Sequence, residues 1–265
     1  CYYIGNNTEA VLIDAGISCR EVEKRMERMG LNINKVKAIF ISHEHSDHIF
    51  GLPVISRKYK LPVYITGNTL KGGKQKIEPS QVYHFSAYQP VTIGEITITA
   101  FPKHHDAADP HSFIVTNNKV NIGVFTDIGQ PCEHLINHFS KCHAAFLESN
   151  YDETMLTNGK YPWHLKNRIR GGKGHLSNKQ AFDIFSTHRS PSLTHLLLSH
   201  LSRDNNDPQL VEQLFAGSHS VNIIIASRFQ ETAIYEINAV AAAEVPKPIR
   251  TILRPAPRPV QLSIF

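Results

Sequence analysis

The segment His43-Glu44-His45-Ser46-Asp47-His48 places three imidazoles and two carboxylates within six positions. Imidazole nitrogen and carboxylate oxygen are donors of intermediate hardness that suit zinc, manganese or iron. The segment follows an apolar run, Val36–Ser42, which reads as a buried strand. His43 and His45 alternate across Glu44, so on extended backbone both rings can face one ion. Asp47 and His48 fall on the next turn and can reach a second. A chance HxHxDH in a chain this rich in histidine has a probability of about 0.002. Two cations held close together would activate water for hydrolysis.

Around these ligands the chain reads as two rounds of strands followed by helices. Cys1–Ile4 and Ala10–Asp14 form a hairpin about Gly5-Asn6-Asn7, and Ser18–Met29 has helical spacing ended by Gly30. A helix is expected through Leu61, a strand at Pro62–Thr66, and a hairpin about Gly94. No element is assigned to Gly67–Gln81. In the second half Ala144–Glu148, Leu193–Ser199, Val221–Ala226 and Ala233–Ile237 read as strands, with helices at Asn178–Thr187 and Asp207–Ala216. The pattern predicts an α/β (α+β) fold, two sheets packed face to face with helices outside. We expect one domain over residues 1–240 and a Pro-rich basic tail over 241–265.

Composition narrows the class. The chain has 265 residues, 41% hydrophobic and 19% charged, and 16 of them are histidines. This excludes a wholly disordered protein, and no window is long and apolar enough for a transmembrane helix. Four cysteines without a CxxC pair are expected to be free thiols in the cytoplasm. Opening at Cys1 without an initiator Met, the chain is expected to lack its first few residues, and a cleaved signal stays open. The net charge is +5. No acid occurs between Thr154 and Phe182, where Lys160, Lys166, Arg168, Arg170, Lys173 and Lys179 are found.

The His-rich segment resembles the second motif of the metallo-β-lactamase superfamily, whose fold is a four-layer αββα sandwich. The other motifs have matches here. Asp14 in Leu12-Ile13-Asp14-Ala15-Gly16 stands where that family keeps an Asp that orients a ligand. His105, rather than His104, fits the third motif, Asp127 the fourth and His200 the fifth. The resemblance implies that His43, His45 and His105 hold one ion, that Asp47, His48 and His200 hold another, and that Asp127 spans both. The cofactor implied is a pair of divalent metal ions, Zn²⁺ or Mn²⁺, with Fe also compatible.

Gly174-His175-Leu176-Ser177-Asn178 resembles the short His motif of nucleases in this superfamily, which sets a His over the scissile phosphate. With Glu148-Ser149-Asn150-Tyr151-Asp152 and His200-Leu201-Ser202-Arg203-Asp204-Asn205-Asn206, the chain resembles the bacterial WalJ/YycJ (VicX) group. That resemblance implies a DNA phosphodiesterase with 5′→3′ exonuclease activity, in which Asp47 is the general base and His175 the acid or oxyanion stabiliser. Tyr151 and His111 depart from the group's usual residues, and Gly67–Gln81 looks short.

Aromatics interleaved with cations hold single strands by stacking bases and tracking phosphates. Lys160, Tyr161, Trp163, Lys166, Arg168, Arg170, Lys173 and Asn178 are therefore expected to contact DNA that is single-stranded or has free ends. Gln261, Leu262, Ile264 and Phe265 resemble a peptide that docks on the bacterial sliding clamp, with a tail folding back on its own domain as the alternative. No membrane partner is expected. Two rivals share the ligands: a thioesterase of the glyoxalase II type, and a non-catalytic metal-bound scaffold that recruits a partner through its tail.

Overall fold

The computed structural model describes residues 1–218, 220–239 and 260–264, the last by backbone alone. The first half runs β1 (Tyr2–Gly5), β2 (Ala10–Ile13), α1 (Cys19–Arg28), β3 (Val36–Phe40), α2 (Ser46–Ile49), α3 (Leu52–Tyr59), β4 (Val63–Tyr64), α4 (Gly67–Gly73) and β5 (Val82–Tyr83). A meander follows, of β6 (Val91–Ile93), β7 (Ile96–Pro102), β8 (His111–Asn117) and β9 (Val120–Phe125). Then come α5 (Glu133–Phe139), β10 (Ala144–Glu148), α6 (Glu153–Asn158), α7 (Trp163–Arg170), α8 (Asn178–His188), β11 (His195–Ser199), α9 (Pro208–Phe215), β12 (Asn222–Ile225), β13 (Tyr235–Ile237) and β14 (Val260–Ile264).

Local chemistry sets these boundaries. Ser18 caps α1 by accepting from Glu21 N, and Gly30 at φ 67° ends the turn that follows it. Ser177 and Gln180 form a capping box at the start of α8. The segment Gly67–Gln81, left unassigned from sequence, contains α4 and a 3₁₀ turn at Pro79–Gln81. The basic stretch contains α6 and α7.

The strands form two seven-stranded sheets, ordered β13-β14-β1-β2-β3-β4-β5 and β12-β11-β10-β9-β8-β7-β6. Ile4, Val11, Phe40, Phe113, Phe146 and Leu197 fill the space between them. Val22 and Met26 of α1 with Leu52 and Ile55 of α3 cover the outer face of the first sheet. Leu135, Ile184, Phe185, Val211 and Phe215 bring α5, α8 and α9 onto the second. The layers are therefore helix, sheet, sheet, helix. Among the described residues no helix is long and apolar enough to cross a membrane.

The C-terminal segment bears on both readings of the tail. Val260–Ile264 is a strand, antiparallel to β1 on one side and β13 on the other, as a tail folded back on its own domain would be. The first sheet thus extends past the boundary placed at residue 240. Residues 240–259 and Phe265 lie outside the described residues.

Candidate metal centre

Parallel pairing brings the ligands to one edge. β2 and β3 run parallel and deliver Asp14 and His43 from their C-terminal ends. β9, β10 and β11 are parallel neighbours and deliver Asp127, Glu148 and His200 in the same way. Three of these residues have left-handed backbone: Asp14 at φ 62°, Asp127 at 54° and His200 at 59°. Such angles are uncommon outside glycine, and here each follows the end of a strand. Gly16 allows a close approach: a Cβ there would overlap the Asp47 carbonyl. The His-rich turn is therefore pressed directly against the loop after β2.

One cluster comprises His43, His45 and His105. His45 Nδ1 lies 3.1 Å from His43 Nε2 and 3.2 Å from His105 Nε2. Nitrogens about 2.0–2.1 Å from a tetrahedral ion sit about 3.3 Å apart, so the spacing fits a shared cation. A second cluster joins Asp47, His48 and His200, and a third joins Asp127 to His43 and His48. Asp127 Oδ2 is 3.0 Å from His48 Nε2, and its Oδ1 is 3.8 Å from His105 Nε2. The carboxylate thus lies between the first two clusters. His104, the rejected neighbour of His105, is exposed.

Charge balance supports the same fit. Asp14, Asp127 and Glu148 are at most 1% exposed, and buried carboxylates demand positive charge. Burial lowers the His48 ring, but Asp127 and Asp14 override it and raise it to about 9. His200 likewise rises well above its ordinary range against burial, through Asp127, Asp47 and Glu148. In the first cluster burial wins: His105, only partly offset by Asp127, falls to about 4, and His43 falls further. Neutral rings on one side and clustered buried carboxylates on the other are what divalent cations would bind.

Residues behind the ligands hold them in place. Asp14 Oδ2 accepts from Ser42 Oγ and from His48 Nδ1, each at 2.7 Å, while its Oδ1 accepts from Ser42 N. His105 Nδ1 donates to Gly174 O at 3.0 Å. A side chain at Gly174 would collide with the Ile169 and Arg168 carbonyls, so this contact needs glycine. Lys103, buried, donates to Thr126 O at 2.6 Å and fixes the peptide before Asp127.

Glu148 is the functional residue that sequence reasoning passed over. Its Oε1 accepts from His175 Nδ1 and His200 Nδ1, both at 2.8 Å. Oε2 accepts from Ile128 N and Leu176 N at 2.6 and 3.2 Å. Burial would raise this carboxyl, and the His175 and His200 rings override it, bringing it to about 2. Asp127, Glu148, His175 and His200 are close enough to share a cation. With both Nδ1 atoms directed at Glu148, however, it is better placed to orient the rings. A signal was available: an acid ending the apolar run Ala144–Glu148, when carboxylates are almost never buried unpaired.

The expected DNA-contacting residues divide into two sets. Trp163 is 66% exposed, with the Arg170 guanidinium 5.1 Å from its ring centre. Lys160 and Lys173 are exposed as well. Arg168 pairs with Asp106, beside His105, and His175 N donates to Ile169 O, so α7 is tied directly to the metal edge. Tyr161 donates to Asp204 at 2.9 Å. Two residues do not belong to this surface. Lys166 is buried and donates to Thr157 O, because that position of α7 faces inward. Asn178 is also buried, bonded to Ser149 and Asn206, where it ties together the loops after β10 and β11. Gln261, Leu262 and Ile264 stand in β14, paired with β1.

The fold and the carboxylate–imidazole clusters define a metal-binding αββα sandwich with its site at one edge of the sheets. The chain belongs to the family described as Beta-lactamase superfamily domain, whose profile matches residues 9–200. It is 37% identical over 211 residues to Exodeoxyribonuclease YycJ of Bacillus anthracis, covering 78% of this chain and 80% of that one. To Exodeoxyribonuclease WalJ of Streptococcus pneumoniae it is 29% identical over 214 residues, covering 79% and 80%. The metallo-beta-lactamase fold protein YhfI from Bacillus subtilis superposes with a TM-score of 0.65 at 18% identity, covering 85% of this chain and 88% of that one. Human tRNase Z, short form, gives 0.56 at 16%, covering 84% and 88%. These two likenesses bear on the fold alone. The family and the clusters together make this a site for divalent metal.

Proposed function

We propose that the protein is a binuclear-metal exodeoxyribonuclease that digests DNA from a free end, in the 5′→3′ direction. The observation that carries the reading is His175, held by Glu148 beside both ligand clusters and continuous with the cationic, aromatic surface of α7. The similarity to YycJ and WalJ supports it.

His43, His45 and His105 would hold one ion, Asp47, His48 and His200 the other, and Asp127 both, with zinc or manganese accepted and iron compatible. Bound there, two cations lower the pKa of water and neutralise charge on an attacked phosphate. Asp47, with 63% of its side chain exposed, is placed to take the proton of the attacking water. His175 has Nδ1 engaged by Glu148, which leaves Nε2 for the leaving oxygen. Glu148 fixes the rings of His175 and His200 from beneath.

Free thiols at all four cysteines support a cytoplasmic location. Docking on a sliding clamp through Gln261, Leu262, Ile264 and Phe265 is compatible with this reading only if β14 leaves both of its neighbours. The fold-back alternative agrees better with its backbone pairing.

Incubation with end-labelled single-stranded DNA and, separately, a glutathione thioester, each with Mn²⁺ or Zn²⁺, tests the activity. Stepwise loss from the 5′ end is expected. Cleavage of the thioester alone would mean a glyoxalase II-type enzyme, and cleavage of neither a scaffold. For binding, the double variant Lys160→Ala, Arg170→Ala is expected to flatten the plot of log affinity against log salt by about 1.4, at about 0.7 per phosphate contact. An unchanged slope would remove α7 from the interface.

A further inference from the structure

We infer that Glu44 is a positioning residue for the first ion, holding the loop that carries His105 against the turn that carries His43 and His45. The inference rests on the ligand assignment proposed above. Glu44 stands between two of the three ligands in sequence and belongs to none of the ligand clusters itself. Its Oε1 accepts from Ala108 N at 2.7 Å, three residues beyond His105. One side chain thus joins the His-rich turn to the segment bearing the third ligand.

That segment depends on such a grip. Residues 103–110 contain no helix or strand, so their backbone groups must find partners elsewhere. Gly129 N donates to His104 O at 2.6 Å and Asp106 N to Lys173 O at 2.9 Å, which fixes the near limb. Lys103 N donates to Pro110 O at 3.1 Å and closes the base, and His111 N donates to Ser42 O at 2.9 Å just beyond it. The tip is held by side chains: Glu44 at Ala108 N, and Thr69 of α4, whose Oγ1 donates to Asp109 O at 3.3 Å. Gly174 O, bonded to His105 Nδ1, sets the tilt of that ring. Glu44 sets how far the ring stands from His43 and His45.

The surroundings of Glu44 are shaped to keep it there. α4 lies over its stem: a Cβ at Gly72 would come within 3.1 Å of Cγ and 3.2 Å of Cδ. Glycine at that position leaves the carboxylate room between α4 and the loop. Among the described residues Oε2 is closed to solvent and has no hydrogen-bond partner. A buried acceptor left unpaired is destabilising, so Glu44 is poorly explained as a stabilising contact and better explained by what Oε1 holds. Residues that orient metal ligands from behind contribute about 10–100-fold to metal affinity.

The full chain, freed of metal, is titrated with Zn²⁺ against a chromophoric chelator and with Co²⁺ read by visible absorption. Wild type is expected to take up two ions, and His105→Ala to identify the first by losing it. Glu44→Ala should weaken that ion by about 10–100-fold and leave the other within about threefold. Two further substitutions separate the bond from the charge. Glu44→Gln loses the charge but keeps an acceptor for Ala108 N, its amide nitrogen taking the place of an oxygen that has no partner. Glu44→Asp keeps the charge and falls one methylene short of Ala108. Glu44→Gln should therefore restore the wild-type Co²⁺ spectrum and bind within about threefold of wild type, and Glu44→Asp should bind as weakly as Glu44→Ala. Unchanged affinity in Glu44→Ala, or a Glu44→Gln protein that binds no better than Glu44→Asp, overturns the inference. Wild type that binds fewer than two ions, or a His105→Ala protein that keeps both, overturns the ligand assignment instead.

Discussion

Glu148→Gln is expected to slow phosphodiester hydrolysis by between about 100-fold and 10,000-fold, although Glu148 touches neither substrate nor solvent. Its two oxygens each accept two hydrogen bonds, one pair from imidazole and one from backbone. Glutamine has one acceptor oxygen and one donor nitrogen in that space. Whichever way the amide turns, either the His175 and His200 rings or the Ile128 and Leu176 N–H groups lose their acceptor. Loss of support behind a metal ligand costs about 10–100-fold, and misplacing a general acid about 10²–10⁴-fold. Metal content separates the two contributions. His175→Ala should lower kcat with metal stoichiometry intact, whereas Glu148→Gln should also weaken binding at the cluster containing His200. Equal kcat for Glu148→Gln and wild type would show that these contacts do not position the rings.

How far the site could be read in advance depended on how local each signal was. His43 through His48 are legible because six consecutive residues carry both chemistry and geometry. Asp14, His105, Asp127 and His200 each follow or border an apolar run, and strands that end together bring their next residues together. The left-handed backbone at Asp14, Asp127 and His200 left only a weak trace in residue type, since Asp and His are enriched there among residues other than glycine but adopt it in a small minority of cases. Lys166 and Asn178 show the limit most clearly. A charge count over residues 154–182 cannot tell which positions face inward until α7 and α8 are placed. Trp163 and Lys166 are three residues apart, yet one is exposed and the other bonded to Thr157 O. Strand β14 was missed for a related reason: five residues with an apolar alternation satisfy a docking peptide and a sheet strand equally, and only pairing with β1 and β13 separates them.

Removal of metal is expected to lower the melting temperature by about 8–16 °C per ion. A ligand that binds only the folded state at about 1,000 times its dissociation constant contributes about 4.1 kcal/mol. In a domain near this size each kcal/mol shifts the midpoint by about 2–4 °C. The structural cause is the group of buried carboxylates. Asp14, Asp127 and Glu148 lie at the closed end of the site, where their charge is compensated either by cations or by protons on His48 and His200. Chelation leaves only the protons, and the clustered rings of His43, His45 and His105 then face one another without a shared partner. Differential scanning calorimetry before and after exhaustive chelation, with elemental analysis of both samples, measures the shift. Asp127→Asn should blunt it, because that substitution removes the carboxylate lying between the clusters and with it much of the demand for positive charge. A chelated protein that melts with the metal-loaded one, despite verified loss of metal, would mean that the clusters are already balanced by protons and that the ions contribute to turnover alone.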